Sequence, residues 1–142
     1  MTKYPQLKLE NQLCFPLYAC AKEIVRRYSP LLEPYNLTYT HYIVMMVLWE
    51  REEITVSELG RILLLDSGTL TPVLKKLETN GYVQRTRLKD DERCVIAKPT
   101  ELGWELQDKL ADVPERIGSC VNLEPEDAVR LHELLYKVLK GF

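Results

Sequence analysis

The residues of this chain with the most chemistry to offer are its four cysteines, Cys14, Cys20, Cys94 and Cys120. Cys14 stands in the run Leu-Cys-Phe-Pro-Leu-Tyr, just after Asn11, where the apolar periodicity of a first helix begins. A thiol there lies near the positive end of the helix dipole, which favours the thiolate, the nucleophilic form. Such a cysteine can react with oxidants while other thiols stay inert; the competing reading is a buried core cysteine. No cysteines show a CxxC or other zinc-like spacing, and His41 and His132 lie far apart, so no metal and no cofactor is expected. No arginine stands near Cys14 to stabilise a leaving oxygen, which argues against a thiol peroxidase and against an enzyme altogether.

With 142 residues and 46% hydrophobic content, the chain is one domain's worth with enough apolar mass for a core. No apolar run approaches the roughly 20 residues that cross a bilayer, so no membrane partner is expected. The segment MTKYPQLKLENQ has no stretch resembling a signal peptide, so the expected location is the cytoplasm. In that reducing compartment a disulfide would be transient and signalling rather than structural.

The elements that must position these cysteines follow from spacing. Leu13, Leu17, Ala21, Ile24 and Tyr28 form the stripe of a first helix, closed by Ser29-Pro30 and Pro34. Pro16 removes a backbone donor, so this helix either begins later than Asn11 or kinks. The run YTHYIVMMVLWE reads as a buried central helix. Thr55-x-x-Glu58 is a capping box for the next helix. Asp66-Ser67 caps another, with Leu70, Val73, Leu74 and Leu77 inward, and Asn80-Gly81 stops it. Two capped helices joined by a short turn are a helix-turn-helix. Tyr82–Arg87 and Cys94–Lys98 read as strands joined by the charged turn LKDDE, a β-hairpin wing. Thr100 caps a long helix carrying Leu102, Leu106, Leu110, Val113 and Ile117, and Glu124-Pro125 opens the last, with Ala128, Leu131, Leu135 and Val138 on one side.

The expected fold class is therefore mainly α with a small β-hairpin wing, a winged helix-turn-helix with N- and C-terminal dimerisation helices. Residues 1–142 form a single domain, with 37–99 the DNA-binding region and 1–36 and 100–142 the dimerisation helices. The terminal helices carry more apolar positions than a small winged domain needs; they either fold back on their own core or interlock in a homodimer. A two-fold dimer matches a pseudo-palindromic site on double-stranded DNA.

Ser67, Thr69, Thr71, Pro72, Lys75 and Lys76 are left on the outer face of the second helix of the pair. Small hydroxyl side chains at a helix start can reach base edges or phosphates. The wing adds Arg85, Arg87, Lys89 and Arg93. From Arg61 to Lys98 eight Lys/Arg face five Asp/Glu, a local +3 within a chain of net charge −2. Binding depends on that local field, although a solvated hairpin without a ligand would look similar. Arg93 follows Asp91 and Glu92 and is open to two roles, a minor-groove contact or an ion pair with Asp91.

Four segments, LENQLCF, LTYTHY, LLLDSGTLTPVLKKLE and KDDERCV, resemble a MarR-family winged-helix transcriptional regulator over nearly the whole chain. The pairing of LENQLCF with LDSGTLTP is similar to the organic-hydroperoxide-sensing (OhrR-type) branch. The resemblance implies a repressor that binds DNA as a reduced dimer and is released when its N-terminal cysteine, here Cys14, is oxidised. It also implies that Tyr28 and Tyr39 hydrogen-bond the thiolate. About 21 Å of helix separates Cys14 from Tyr28, so a Tyr28 that touches Cys14 must come from the partner chain. The branch has one-cysteine forms, which join low-molecular-weight thiols, and two-cysteine forms with a resolving cysteine in a C-terminal helix. Cys120, after VPERIGS, lies where that residue is found, which implies an intersubunit Cys14–Cys120 disulfide; the competing reading of Cys120 is a small buried hydrophobe. Cys20, on another face of the same helix, and Cys94, on a wing strand, read as incidental, although modification of Cys94 could disturb DNA contact directly. The alternative function within the family is a repressor released by a small aromatic ligand, lined by Tyr18, Tyr28, Tyr39, Tyr42 and Trp49.

Overall fold

The computed structural model describes residues 1–142. Two 3-10 turns, Pro5–Leu7 and Leu9–Asn11, precede α1 (Cys14–Leu32). The first helix thus begins after Asn11, with Cys14 as its first residue. Pro16 falls in the opening turn, where backbone N–H groups have no helical partner, so it neither kinks nor weakens the helix. Pro30 does not close it: α1 runs on to Leu32, whose side chain is fully buried. The loss of one N–H is outweighed by that burial.

A 3-10 turn, Glu33–Tyr35, ends at left-handed Asn36 and leads into α2 (Tyr39–Arg51). This helix is the centre of the fold, with His41, Tyr42, Val44, Met45, Val47 and Leu48 buried. Its start holds a capping box that sequence did not show, because the N3 residue is a histidine. The backbone N–H of Thr38 donates to His41 Nδ1 at 2.9 Å.

The helix-turn-helix is α3 (Val56–Leu63) and α4 (Ser67–Thr79). Thr55 Oγ1 accepts from the Glu58 N–H at 3.2 Å, and Asp66 Oδ1 accepts from the Thr69 N–H at 2.7 Å. The Glu58 carboxylate, however, turns to Arg61 rather than back to the cap. A Cβ on Gly60 would lie 2.8 Å from the Leu65 carbonyl oxygen, so only glycine admits so close a turn between the two helices.

The sheet has a third strand beyond the expected hairpin. Strand β1 (Ile54–Thr55) pairs antiparallel with β3 (Val95–Pro99), which pairs with β2 (Val83–Arg87), in the order β1-β3-β2. Two residues are too few for an alternation signal. The expected long helix after Thr100 is broken into α5 (Glu101–Leu110) and α6 (Val113–Gly118). Pro114 cannot donate to the Leu110 carbonyl, and the helix ends there. Leu102, expected inward, is 42% exposed, and Gly103 takes the packed position.

The last helix, α7 (Pro125–Leu139), has no buried residue. Eighteen buried apolar side chains form one core cluster, and none comes from α7. On α1 the apolar stripe is likewise open, with Leu13 74% and Ile24 37% exposed. No helix is long and apolar enough to cross a membrane.

Candidate redox site and nucleic-acid interface

The first residue of α1, Cys14, is exposed and free, as are Cys20 and Cys120; Cys94 is half-buried and also free. Because α1 is one continuous helix, Tyr28 stands about 21 Å up its axis from Cys14. The structure does bring Tyr28 and Tyr39 together, with ring centroids 4.7 Å apart, and adds Tyr42 at 5.5 Å from Tyr28. Burial, then the neighbouring Tyr39 and Tyr42, pushes the Tyr28 hydroxyl up to about 12. Burial and then Tyr136 raise Tyr39, and burial and then Tyr39 raise Tyr42. All three hydroxyls therefore stay protonated and can donate hydrogen bonds to an anion.

Between α1 and α7 runs an apolar groove of about 510 Å³, lined by Leu17, Cys20, Ile24, Tyr39, Leu131 and Leu135 among others. Cys120 follows α6 and borders a smaller cleft with Glu23, Ile24 and Arg27 of α1. Its thiol donates to the Arg116 carbonyl at 3.5 Å. Ile24 is ten residues beyond Cys14, about 15 Å along the helix, so the two cysteines do not meet within one chain. The other aromatic side chains disperse. The Trp49 indole donates to the Gly103 carbonyl at 2.9 Å, and Tyr18 faces outward, 65% exposed. A single aromatic pocket is not assembled from them within one chain.

On α4, Ser67, Thr69, Thr71, Pro72, Lys75 and Lys76 are all exposed. Leu70, Leu74 and Leu77 are buried beneath them, and Val73 is half-buried. Asp66 is held below its ordinary value by hydrogen bonds from Thr69, so the cap stays anionic at the positive end of α4. Neither Lys75 nor Lys76 forms an ion pair. His41 lies close enough for Lys76 to act on it: burial first, then that ammonium, lowers its pKa and keeps the ring neutral.

In the wing, Lys89 is exposed, and Arg87 Nη1 donates to the Glu92 carbonyl at 3.0 Å. Asp91 accepts from the Arg93 backbone N–H at 3.0 Å, which shapes the turn and leaves the guanidinium without an ion pair. Arg85 is different: its guanidinium is bound to Glu78, the one residue of this region that sequence reasoning missed. The signal was available, since Glu78 lies in the last turn of one element and Arg85 sits in the next, either side of the Gly81 turn.

The model of the family described as transcriptional regulator SarA/Rot matches residues 26–110, from the upper half of α1 to the end of α5. The organic hydroperoxide resistance transcriptional regulator of Bacillus subtilis (strain 168) is 44% identical over 138 residues, covering 97% of this chain and 94% of that one. The chain belongs to the SarA/Rot family of transcriptional regulators. Its likeness to MarR-type regulators of the organic-hydroperoxide branch is confirmed, and so is the winged helix. Among solved structures, reduced AbfR bound to DNA superposes with a TM-score of 0.80 at 35% identity, covering 96% of this chain and 94% of that one. Disulfide-formed AbfR superposes with a TM-score of 0.66 at 37% identity, covering 96% and 92%.

Proposed function

We propose that the chain is a homodimeric DNA-binding transcriptional regulator, a repressor, that senses organic hydroperoxides by oxidation of Cys14 and then releases a pseudo-palindromic operator. One observation carries this reading: the exposed thiol of Cys14 opens the same helix whose apolar stripe, with all of α7, is left uncovered by its own chain. A monomer of 16.6 kDa exposes about 7,600 Å² when compact. This chain exposes 10858 Å², and an excess of that size suits an obligate interface between copies. The reactive sulfur thus stands at the edge of the surface that a second copy covers.

The chemistry balances in two steps. The Cys14 sulfur attacks the terminal oxygen of the hydroperoxide; an S–O bond forms, the O–O bond breaks, and an alcohol leaves. The sulfur has lost two electrons and is a sulfenic acid, no longer an acceptor suited to the tyrosine hydroxyls. A second thiol, Cys120 of the partner subunit or a low-molecular-weight thiol, then attacks that sulfur and releases water as the disulfide forms. A rearranged α1–α7 seam alters the separation of the two α4 helices, which must match one turn of DNA. A coupling of about 2–3 kcal/mol changes operator affinity roughly 30- to 150-fold.

On this reading Ser67, Thr69, Thr71, Pro72, Lys75 and Lys76 enter or flank the major groove, and Arg87, Lys89 and Arg93 reach along the backbone from the wing. The protein acts on DNA in the cytoplasm, and binding rather than catalysis is its activity. The test is operator binding with and without cumene hydroperoxide, for the wild type and Cys14→Ser. Release of the wild type with retention of Cys14→Ser is expected. Equal release of both points to a ligand-gated regulator and refutes thiol sensing.

A further inference from the structure

Six ion pairs hold together parts of this chain, and five join residues within four positions of each other. Glu78–Arg85 alone joins two elements, the last turn of α4 and strand β2. The contact is double. Arg85 Nη2 donates to Glu78 Oε1 at 3.2 Å, and the Arg85 backbone N–H donates to Glu78 Oε2 at 3.2 Å. Strand β2 is at the edge of the sheet, so that N–H has no strand partner on its outer side. One carboxylate therefore grips both the guanidinium and the strand's free edge.

The guanidinium is held by this contact and partly withdrawn from solvent. Its Nε is buried with no hydrogen-bond partner, and only 26% of the side chain is exposed. Beyond Arg85 the hairpin carries Arg87, Lys89 and Arg93, and its outer turn is held only by bonds within itself. The Glu78–Arg85 pair is the last polar tie between α4 and this arm.

We infer that Arg85 and Glu78 are positioning residues that fix the wing relative to α4, so that the cations of both reach one duplex at once. This inference rests on the DNA-binding reading above. It removes Arg85 from the direct phosphate contacts expected of it and gives a carboxylate on the basic face a part in binding. A negative charge there would otherwise only repel DNA.

The sign of one substitution separates the possibilities. Glu78→Gln removes a negative charge and frees Arg85, so simple electrostatics predicts tighter binding and an unchanged or steeper salt dependence. Loss of positioning predicts the reverse. Arg85→Lys is the second variant, because it keeps the charge but cannot form the forked contact. The probe is a duplex selected by the wild-type protein from a randomised library, titrated over a range of salt, with thermal melts confirming folded protein. The expected result is roughly 10-fold weaker binding by both variants. The slope of log K against log salt should fall by about 0.9 for each phosphate that the wing no longer reaches, although neither variant removes a cation. Tighter binding by Glu78→Gln overturns the inference, as does a lower melting temperature with unchanged affinity and slope. Failure of the wild type to select any duplex overturns the DNA-binding reading itself, and the inference with it.

Discussion

If Tyr28 serves Cys14, it does so across the dimer, and mixed dimers can show this directly. The two residues are 14 positions apart on one unbroken helix, α1, which places them about 21 Å apart along its axis. A hydrogen bond spans roughly 3 Å. Consider a heterodimer of one Tyr28→Phe chain and one Cys14→Ser chain, isolated with two different affinity tags. Its only Cys14 belongs to the chain that lacks Tyr28, and its only Tyr28 belongs to the other chain. A hydrogen bond to a charged sulfur is worth about 1.5–3 kcal/mol. Losing it from the thiolate slows oxidation about 10- to 150-fold at fixed pH. The Tyr28→Phe homodimer should show that loss in full. The heterodimer should oxidise its single Cys14 at the wild-type rate, since the cross-chain pair is intact. The assay is sulfenate trapping followed by mass spectrometry of the Cys14 peptide, which reads this thiol apart from the other cysteines. A heterodimer as slow as the Tyr28→Phe homodimer would refute the cross-chain geometry, and a fast Tyr28→Phe homodimer would refute any role for the hydroxyl.

Gly103→Ala drives a methyl carbon into the Tyr82 carbonyl oxygen and places it 3.2 Å from Pro99 Cβ. It should cost about 2 kcal/mol in urea unfolding, while Gly118→Ala, with open space around it, serves as the control. Lys75→Ala removes an exposed, unpaired cation of α4 and should lower the salt slope of DNA binding by about 0.9 per protomer. Equal loss on selected and mixed-sequence duplexes would mark it as a phosphate contact rather than a base reader. The folded-state pKa of Tyr28 is raised from 10.0 to about 12. The stability tied to its protonated hydroxyl is therefore complete below pH 10 and lost as pH climbs through about 12. Urea midpoints measured across that interval should fall more steeply for the wild type than for Tyr28→Phe.

The helix-turn-helix was legible because its devices are local. Thr55 and Asp66 announce their helices through side chains that bond three residues ahead, and Asn80-Gly81 ends α4 where expected. What local pattern hid was long-range. Strand β1 exists only because Ile54 and Thr55 meet Ile96 and Ala97, some forty residues away. Apolar periodicity ran smoothly from Leu102 to Ile117, yet one proline divides it, since periodicity registers side chains and not the missing N–H. Arg85 was grouped with the DNA contacts by charge; its ion pair to Glu78 across two elements, which local pattern does not show, sets it apart from Arg87. Cys14 was singled out by type and place; within its own chain it is exposed, and Tyr28 lies about 21 Å along the helix.

A route by which an event at Cys14 can be felt at α4 begins at the tyrosine cluster, which spans α1 and α2, the helices joined by the turn at Glu33–Asn36. This same turn is fastened to the far end of the recognition helix. The Asn36 amide donates to Asn80 Oδ1 at 3.1 Å, and the Asn80 amide donates back to the Asn36 carbonyl at 3.1 Å. One residue away, the Tyr82 hydroxyl donates to the Tyr35 carbonyl at 3.2 Å. A change in the angle between α1 and α2 must either break these three bonds or carry the end of α4 with it. Each neutral bond is worth only about 1 kcal/mol, but breaking all three would cost as much as the coupling a switch of this kind needs. Moving α4 as a body avoids that cost. On the proposed reading, an event at Cys14 would reach α4 through this stiffness between the two sites.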